Sequence, residues 1–226
     1  MLPSIAIVVP VLNESASVEK LAPRLRSLAP HETFLVDGGS RDDTVSKLRA
    51  AGFAVVESAC GRAQQMNAGA AHCRTDALLF LHADTTFTAE HVLAAQQALA
   101  SGADFGCFSV CIDSEDPVLR VVGSLISLRS RLLVSATGDQ AIFMRRSLFA
   151  DLGGYRQMAL CEDLDLIARA RGRGRFVCLH RQVFTSARRW QQRGVFRTIL
   201  LMWALRIGCH AGVDPAALRR LYEDAR

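Results

Sequence analysis

Four short apolar runs, Ser4 to Leu12, Thr33 to Val36, Phe53 to Glu57 and Ala77 to Leu81, alternate with segments of helical spacing over Val18 to Leu28, Val45 to Ala51, Gly61 to Arg74 and Thr88 to Leu99. Nearly continuous apolar character leaves such a strand no face for solvent. The repeat therefore predicts an α/β fold, a doubly wound, mostly parallel sheet with helices on both faces. A chain of 226 residues, half of them apolar, can bury one core of this kind.

Beyond Gly102 the pattern changes. Asp104 to Asp113 alternates and suits a strand that pairs antiparallel, Asp116-Pro117 caps a helix over Val118 to Val134, and Gly138 to Phe143 returns to strand character. Arg146 to Leu152 and Glu162 to Arg171 read as helices, followed by a strand over Arg175 to His180. Arg193 to Cys209 and Asp214 to Arg226 read as a helical appendix. We expect one domain over residues 1–190 and a helical tail over 191–226 packed on or beside it, with no internal repeat or long linker.

Composition narrows the class. No run of about 18 uncharged apolar residues occurs, so no spanning helix is predicted. Leu2 to Leu12 lacks a basic start and contains Pro3 and Pro10, which fits a first strand better than a secretory signal, and a cytoplasmic protein is expected. Seven cysteines without a CxxC spacing are expected to be reduced and mostly buried; Cys107 and Cys111 share a strand face, but no further ligand follows at zinc spacing. The net charge of +5 concentrates late, with thirteen arginines from Arg169 onward against Asp214, Glu223 and Asp224. Such a surface suits phosphates or anionic lipid; nucleic acid is not expected, because no recognition-helix, finger or RNP pattern accompanies the charge. The tail helix, with Trp203 among leucines, is expected to pack on the domain, with peripheral contact on the inner membrane face as the alternative.

Three core segments are closed by acidic groups: Phe34-Leu35-Val36-Asp37 before Gly38-Gly39-Ser40, Ala77 to Leu81 before His82-Ala83-Asp84, and Cys161-Glu162-Asp163. Ligands of open α/β sheets collect where parallel strands end, so carboxylates at several strand ends can converge on one diphosphate and metal.

The ordered set Ile7 to Glu14, Val36 to Ser40 with Asp43-Thr44, Gly61-Arg62 with Asn67-Ala68-Gly69, His82-Ala83-Asp84, and Glu162-Asp163 resembles the motifs of family 2 glycosyltransferases with the GT-A fold. The resemblance spans about Ser4 to His180 and is greatest for a small bacterial subgroup. It implies that Pro10, Asn13 and Glu14 hold the ribose or base of a nucleotide-diphosphate sugar donor; an ordinary strand-to-helix cap is the local alternative. Asp37 stands where the family has the first of two aspartates and Gly38 replaces the second, which leaves the base open. Arg62 offers a planar fork to phosphate, and Asn67 enters a helix whose amides favour anions. Gln64, Gln65 and Met66 receive no role.

Asp84 corresponds to the last acid of an Asp-x-Asp motif, which binds a divalent cation, Mn²⁺ or Mg²⁺, on the donor diphosphate. His82 replaces the first acid and leans the site toward Mn²⁺ or toward a single protein ligand. Glu162 and Asp163 open an apolar helix whose dipole favours ionised carboxylates, and the resemblance makes Asp163 the base that takes the acceptor hydroxyl's proton. Gly138-Asp139-Gln140 resembles the loop flanking the acceptor, and Arg188, Arg189 and Trp190 would add charge and an aromatic platform near the departing diphosphate. The implied activity is metal-dependent, inverting transfer of a sugar to an unidentified acceptor. Were that acceptor a polyprenyl phosphate, the arginines of Val118 to Val134 and of the tail would become phosphate and lipid contacts. A nucleotidyltransferase is disfavoured by the lack of glycine in Pro10 to Glu14, and a sugar-nucleotide binding protein with a decayed metal motif stays open.

Overall fold

The computed structural model describes residues 1–29, 31–187, 190–191 and 194–224, excluding the side chains of 223 and 224. The predicted alternation is present as β1 (Ile5–Val11), α1 (Val18–Arg26), β2 (Thr33–Asp37), α2 (Thr44–Ala50), β3 (Val55–Glu57), α3 (Arg62–His72), β4 (Ala77–Phe80) and α4 (Ala89–Ala100). After these come β5 (Phe105–Asp113), α5 (Pro117–Leu133), a 3₁₀ turn (Gly138–Gln140), β6 (Ile142–Arg145), α6 (Arg146–Asp151), α7 (Glu162–Ala170), β7 (Phe176–Ser186), α8 (Val195–His210) and α9 (Pro215–Asp224).

The seven strands lie in the order β3-β2-β1-β4-β6-β5-β7. Only β6 runs against its neighbours, pairing antiparallel with both β4 and β5, so the sheet is mostly parallel. Side chains of β1 sort by alternation: Ile5, Ile7 and Val9 join a core with α1 and α4, whereas Ala6 and Val8 join a second core with α3, α6 and α7. Helices thus cover both faces. The order reverses between β1 and β4, and the carboxyl ends of strands at such a point are where open α/β sheets bind ligands. Close approach at this point depends on Gly69 of α3, where a Cβ would sit 2.5 Å from a Val8 methyl and 2.9 Å from one of Val36.

Two boundaries differ from expectation. Gly138 to Gln140 forms a turn instead of a strand, because the buried Gln140 side chain is drawn inward: its Oε1 accepts from the Ser130 hydroxyl at 3.0 Å and its Nε2 donates to the Phe108 carbonyl at 3.1 Å. Ala141 then turns the chain at φ 48° before β6 begins. Strand β7 runs past His180 to Ser186, because a register shift on β5 after Phe108 lets His180 and Arg181 bulge out and pairing resume at Gln182.

Helix α8 meets α5 over a small apolar cluster of Ile112, Leu119, Val122 and Ala187, with Ile126, Val195 and Ile199 at its edge. Its Gly208 lets α9 close in, since a Cβ there would lie 2.6 Å from Leu218. Cys161 and Cys209 are joined as a disulfide, with Cα atoms 6.5 Å apart, where reduced thiols are expected from the sequence. The partners lie 48 residues apart, and no spacing rule points to them.

Candidate active site

At the ends of β1 and β2, polar side chains are spent on the backbone. Asp37 is buried; its Oδ2 accepts from the Gly39 and Ser40 amides at 2.9 and 3.0 Å, and its Oδ1 from the Ser40 hydroxyl at 2.5 Å. Asn13 sits at φ 53°, accepts from the Arg41 amide at 2.8 Å and donates its own amide to the Ser40 hydroxyl. The Glu14 amide donates to the Thr44 hydroxyl at 2.7 Å, while Pro10 lies opposite Val36 in the ladder. Gln65 is the unassigned residue that completes this rim, its buried amide donating to the carbonyls of Val11 and Val36 at 2.8 Å each. It also accounts for the missing second aspartate: a Cβ on Gly38 would sit 2.8 Å from the Gln65 side chain.

Arg62 opens α3 and points toward the acidic helix, with Nη1 3.6 Å from Glu162 Oε1 and half of its side chain exposed. Burial pulls its pKa down, but Glu162, Asp163, Tyr222 and Asp84 together hold it above the usual arginine value. One guanidinium therefore senses carboxylates from both β4 and α7. Asn67 does not join it: its Oδ1 accepts from the Tyr155 amide at 2.9 Å and its Nδ2 donates to the Tyr155 carbonyl at 2.8 Å.

Asp84 is exposed at the mouth of a cleft of about 260 Å³, shared with Arg24, Thr86, Asp113 and Phe184. Asp113, at the end of β5, has no motif around it that would have marked it. His82 packs against the turn at Gly138. A Cβ on Gly138 would strike the His82 ring and lie 2.8 Å from Asp163 Oδ2, so His82 and Asp163 both pack closely against Gly138. Among the described residues no group of three His, Cys, Asp or Glu side chains is arranged to hold a metal ion.

Glu162 and Asp163 are both buried at the start of α7, whose N-cap, Cys161, sits at φ 73°. The Gly138 amide donates to Asp163 Oδ2 at 2.8 Å, and Oδ1 is buried without a hydrogen-bond partner. Burial first, and Glu162 second, push the Asp163 carboxyl up to about 7, against the pull of Arg62 and the Gly138 amide. Helix-dipole stabilisation, the expectation from sequence, is outweighed here by desolvation. The buried Tyr155 hydroxyl stands in the same field, its pKa raised by burial and by Asp163.

The acceptor-side residues divide. Asp139 accepts from the Thr137 hydroxyl, whereas Gln140 is fully committed to the core. Trp190 is half-buried against the α5–α8 cluster. Arg188 and Arg189 lie outside the described residues. The charge of Asp139 acts on two arginines, Arg129 of α5 and Arg206 of α8.

The glycosyl transferase family 2 profile matches residues 6–152. The uncharacterized glycosyltransferase Rv1514c of Mycobacterium tuberculosis strain H37Rv is 31% identical over 180 residues, covering 74% of this chain and 69% of that protein. Among solved structures, S. aureus TarS 1-349 in complex with UDP has a TM-score of 0.66 at 17% identity, with 81% of this chain and 60% of that one covered. The mannosyltransferase PcManGT from Pyrobaculum calidifontis, in complex with GDP-Man and Mn²⁺, has a TM-score of 0.68 at 19% identity, with 93% and 62% covered. Glucosyl-3-phosphoglycerate synthase from M. tuberculosis, with Mn²⁺, UDP and glucosyl-3-phosphoglycerate, has a TM-score of 0.60 at 18% identity, with 80% and 70% covered. This chain thus spans about three fifths of the TarS and PcManGT chains. At these identities the structures establish a shared architecture, and the profile establishes the kinship: the chain belongs to glycosyl transferase family 2 and carries the GT-A fold.

Proposed function

We propose that the chain transfers a sugar from a nucleotide-diphosphate donor to an acceptor oxygen with inversion at the anomeric carbon. The observation that carries this reading is Arg62, whose guanidinium at the start of α3 lies 3.6 Å from Glu162 of α7, with the charges of Asp163 and of Asp84 beyond β4 bearing on it as well. Residues 1–190 would form the catalytic domain, with 191–226 as its appendix.

Asp163 supplies the base. With its carboxyl near 7 and Oδ1 unpartnered, it takes the acceptor hydroxyl's proton as that oxygen attacks the anomeric carbon. The new C–O bond forms while the bond from that carbon to the diphosphate breaks, and the nucleoside diphosphate leaves with the electron pair. Arg62 offsets the charge developing there. The Gly138 amide keeps Asp163 in place. Pro10, Asn13, Glu14 and Asp37 shape the nucleotide rim, chiefly through backbone groups that their side chains fix.

The donor set fits a hard divalent ion sparsely. Asp84 is a carboxylate open to the cleft, and an ion such as Mn²⁺ or Mg²⁺ would take its remaining oxygens from diphosphate and water. His82, the other ligand expected from the sequence, packs its ring against Gly138. When bound, the ion supplies electrostatic neutralisation of the leaving diphosphate. Neighbouring structures with Mn²⁺ and UDP or GDP-Man support the same donor class.

Donor turnover tests the reading. Wild-type protein is expected to release nucleoside diphosphate slowly from a matching sugar nucleotide only with Mn²⁺ or Mg²⁺, and Asp84→Ala to abolish release. Donor binding without release under any metal would instead favour a binding protein.

A further inference from the structure

The bridge between Cys161 and Cys209 takes no part in the proposed reaction, yet it is fastened to its centre. Cys161 directly precedes Glu162 and Asp163 and is the N-cap of α7, at φ 73°. Cys209 lies in the last turn of α8, next to Gly208, on which Leu218 of α9 closes. The bond therefore ties the first residue of the base-bearing helix to the joint between the two tail helices. Both cysteines are half-buried, so a small reductant can reach the bond. The five remaining cysteines are free.

Past that joint the tail reaches the neighbourhood of Arg62. Arg219 of α9 lines a cleft of about 210 Å³ together with Gly61 and Gln64 at the start of α3, and with Gln157 and Ala159 of the segment that leads into α7. Tyr222, further along α9, is among the groups whose charge acts on Arg62. Among the described residues α9 rests mainly on α8, so its place beside α3 depends on where the end of α8 is held. Val195 and Ile199 pack the start of α8 on the α5 cluster. Its far end is held by the Arg206 bond to the Ser135 hydroxyl and, covalently, by the bridge to Cys161.

We infer that Cys161 and Cys209 form a thiol–disulfide latch: closed, it holds α9 as a wall of the cleft beside Arg62, and opened by a dithiol it frees α9 and slows transfer. The effect on transfer rests on the function proposed above; the movement of the tail does not. Opening is a balanced exchange. A thiolate of the dithiol attacks one sulfur of the bridge, and the other sulfur leaves with the bonding pair and takes a proton. The second thiol of the reductant then displaces the first cysteine as the reductant closes to a cyclic disulfide. Two electrons and two protons pass to the protein.

The test compares full chain oxidised with glutathione disulfide against full chain reduced with dithiothreitol, which is removed before assay. Tryptic mapping without reductant is expected to yield residues 157–169 and 207–219 as one cross-linked peptide from the oxidised form alone. Brief trypsin treatment of the native protein is expected to cut α9 after Arg219 or Arg220 about tenfold faster in the reduced form. Metal-dependent release of nucleoside diphosphate is expected to fall about tenfold on reduction, and both effects to reverse on reoxidation. Cys209→Ser is expected to match the reduced form and to ignore dithiothreitol. No cross-linked peptide after oxidation, equal cleavage in the two states, or a Cys209→Ser protein that still responds to dithiothreitol overturns the latch. Faster cleavage with unchanged release overturns its hold on transfer. If Cys209→Ser does not fold, the cycle of reduction and reoxidation on wild-type protein decides. If wild-type protein releases no nucleotide in either state, the transferase reading falls, and the cross-link and the cleavage still decide the latch.

Discussion

The two banks of the crevice handle polar groups in opposite ways. On the β1–β2 side, Asn13, Asp37, Gln65 and Asn67 each spend their side chains on backbone amides or carbonyls. On the α7 side, Asp163 Oδ1, the Tyr155 hydroxyl and two nitrogens of Arg129 are buried with no hydrogen-bond partner. Satisfied groups make a rigid rim; unsatisfied ones store interaction free energy that a substrate can release. One bank is therefore a frame, and the other holds the reactive groups.

Asp163→Asn would separate the two most sharply. The amide keeps the shape and can still accept from Gly138, but it cannot take a proton, so transfer should fall by about 10³-fold with donor affinity retained. The wild-type rate should rise with pH through about 7 and then level off. Stability should move the other way. Unfolded aspartate loses its proton near about 4, while the folded carboxyl keeps it to about 7, so the folded state loses stability as pH climbs between those values. At pH 8 the Asn variant should be more stable than wild type by about 4 kcal/mol, and equal to it at acid pH. A variant that loses stability at pH 8 would show that the α7 bank carries no stored cost.

Gly138→Ala comes next. Its new methyl would press the His82 ring and Asp163 Oδ2 apart, displacing the proposed base, and transfer should drop about a hundredfold with a stability loss of about 1–3 kcal/mol. Retained transfer would mean that the turn does not set the base. On the frame side, Asn67→Ala removes both bonds to the Tyr155 backbone and should cost about 2 kcal/mol by denaturant titration, with donor KM close to wild type. A tenfold rise in donor KM at unchanged stability would assign the amide to the diphosphate and break the comparison.

The frame was the more legible bank. Runs such as Ile5 to Val9 and Ala77 to Phe80 advertise buried parallel strands through local pattern, and the acidic stations follow directly from where those runs stop. The reactive bank depends on contacts between segments remote in sequence. Gln140 is drawn into a 3₁₀ turn by Ser130 and Phe108, α8 folds back on α5 over Ile126, Val195 and Ile199, and Cys161 finds Cys209 of the same α8. No period or spacing records such meetings. Asp163 was visible as a residue, but its raised pKa comes from burial depth, which a sequence does not show.

Ser40→Ala probes the frame most gently. The hydroxyl donates to Asp37 Oδ1 and accepts from the Asn13 amide, tying the end of β2 to the turn after β1. Both bonds lie on a half-exposed rim where water can replace them, so the loss should be about 1 kcal/mol, or about 2–4 °C in melting temperature. Asp37 would keep its bonds from the Gly39 and Ser40 amides, and Asn13 its bond from Arg41, so the rim should hold its shape and donor KM should change less than about twofold. A larger KM change with no loss of stability would mean that the rim adjusts to the nucleotide, and that rigidity is not what distinguishes this bank from the one opposite.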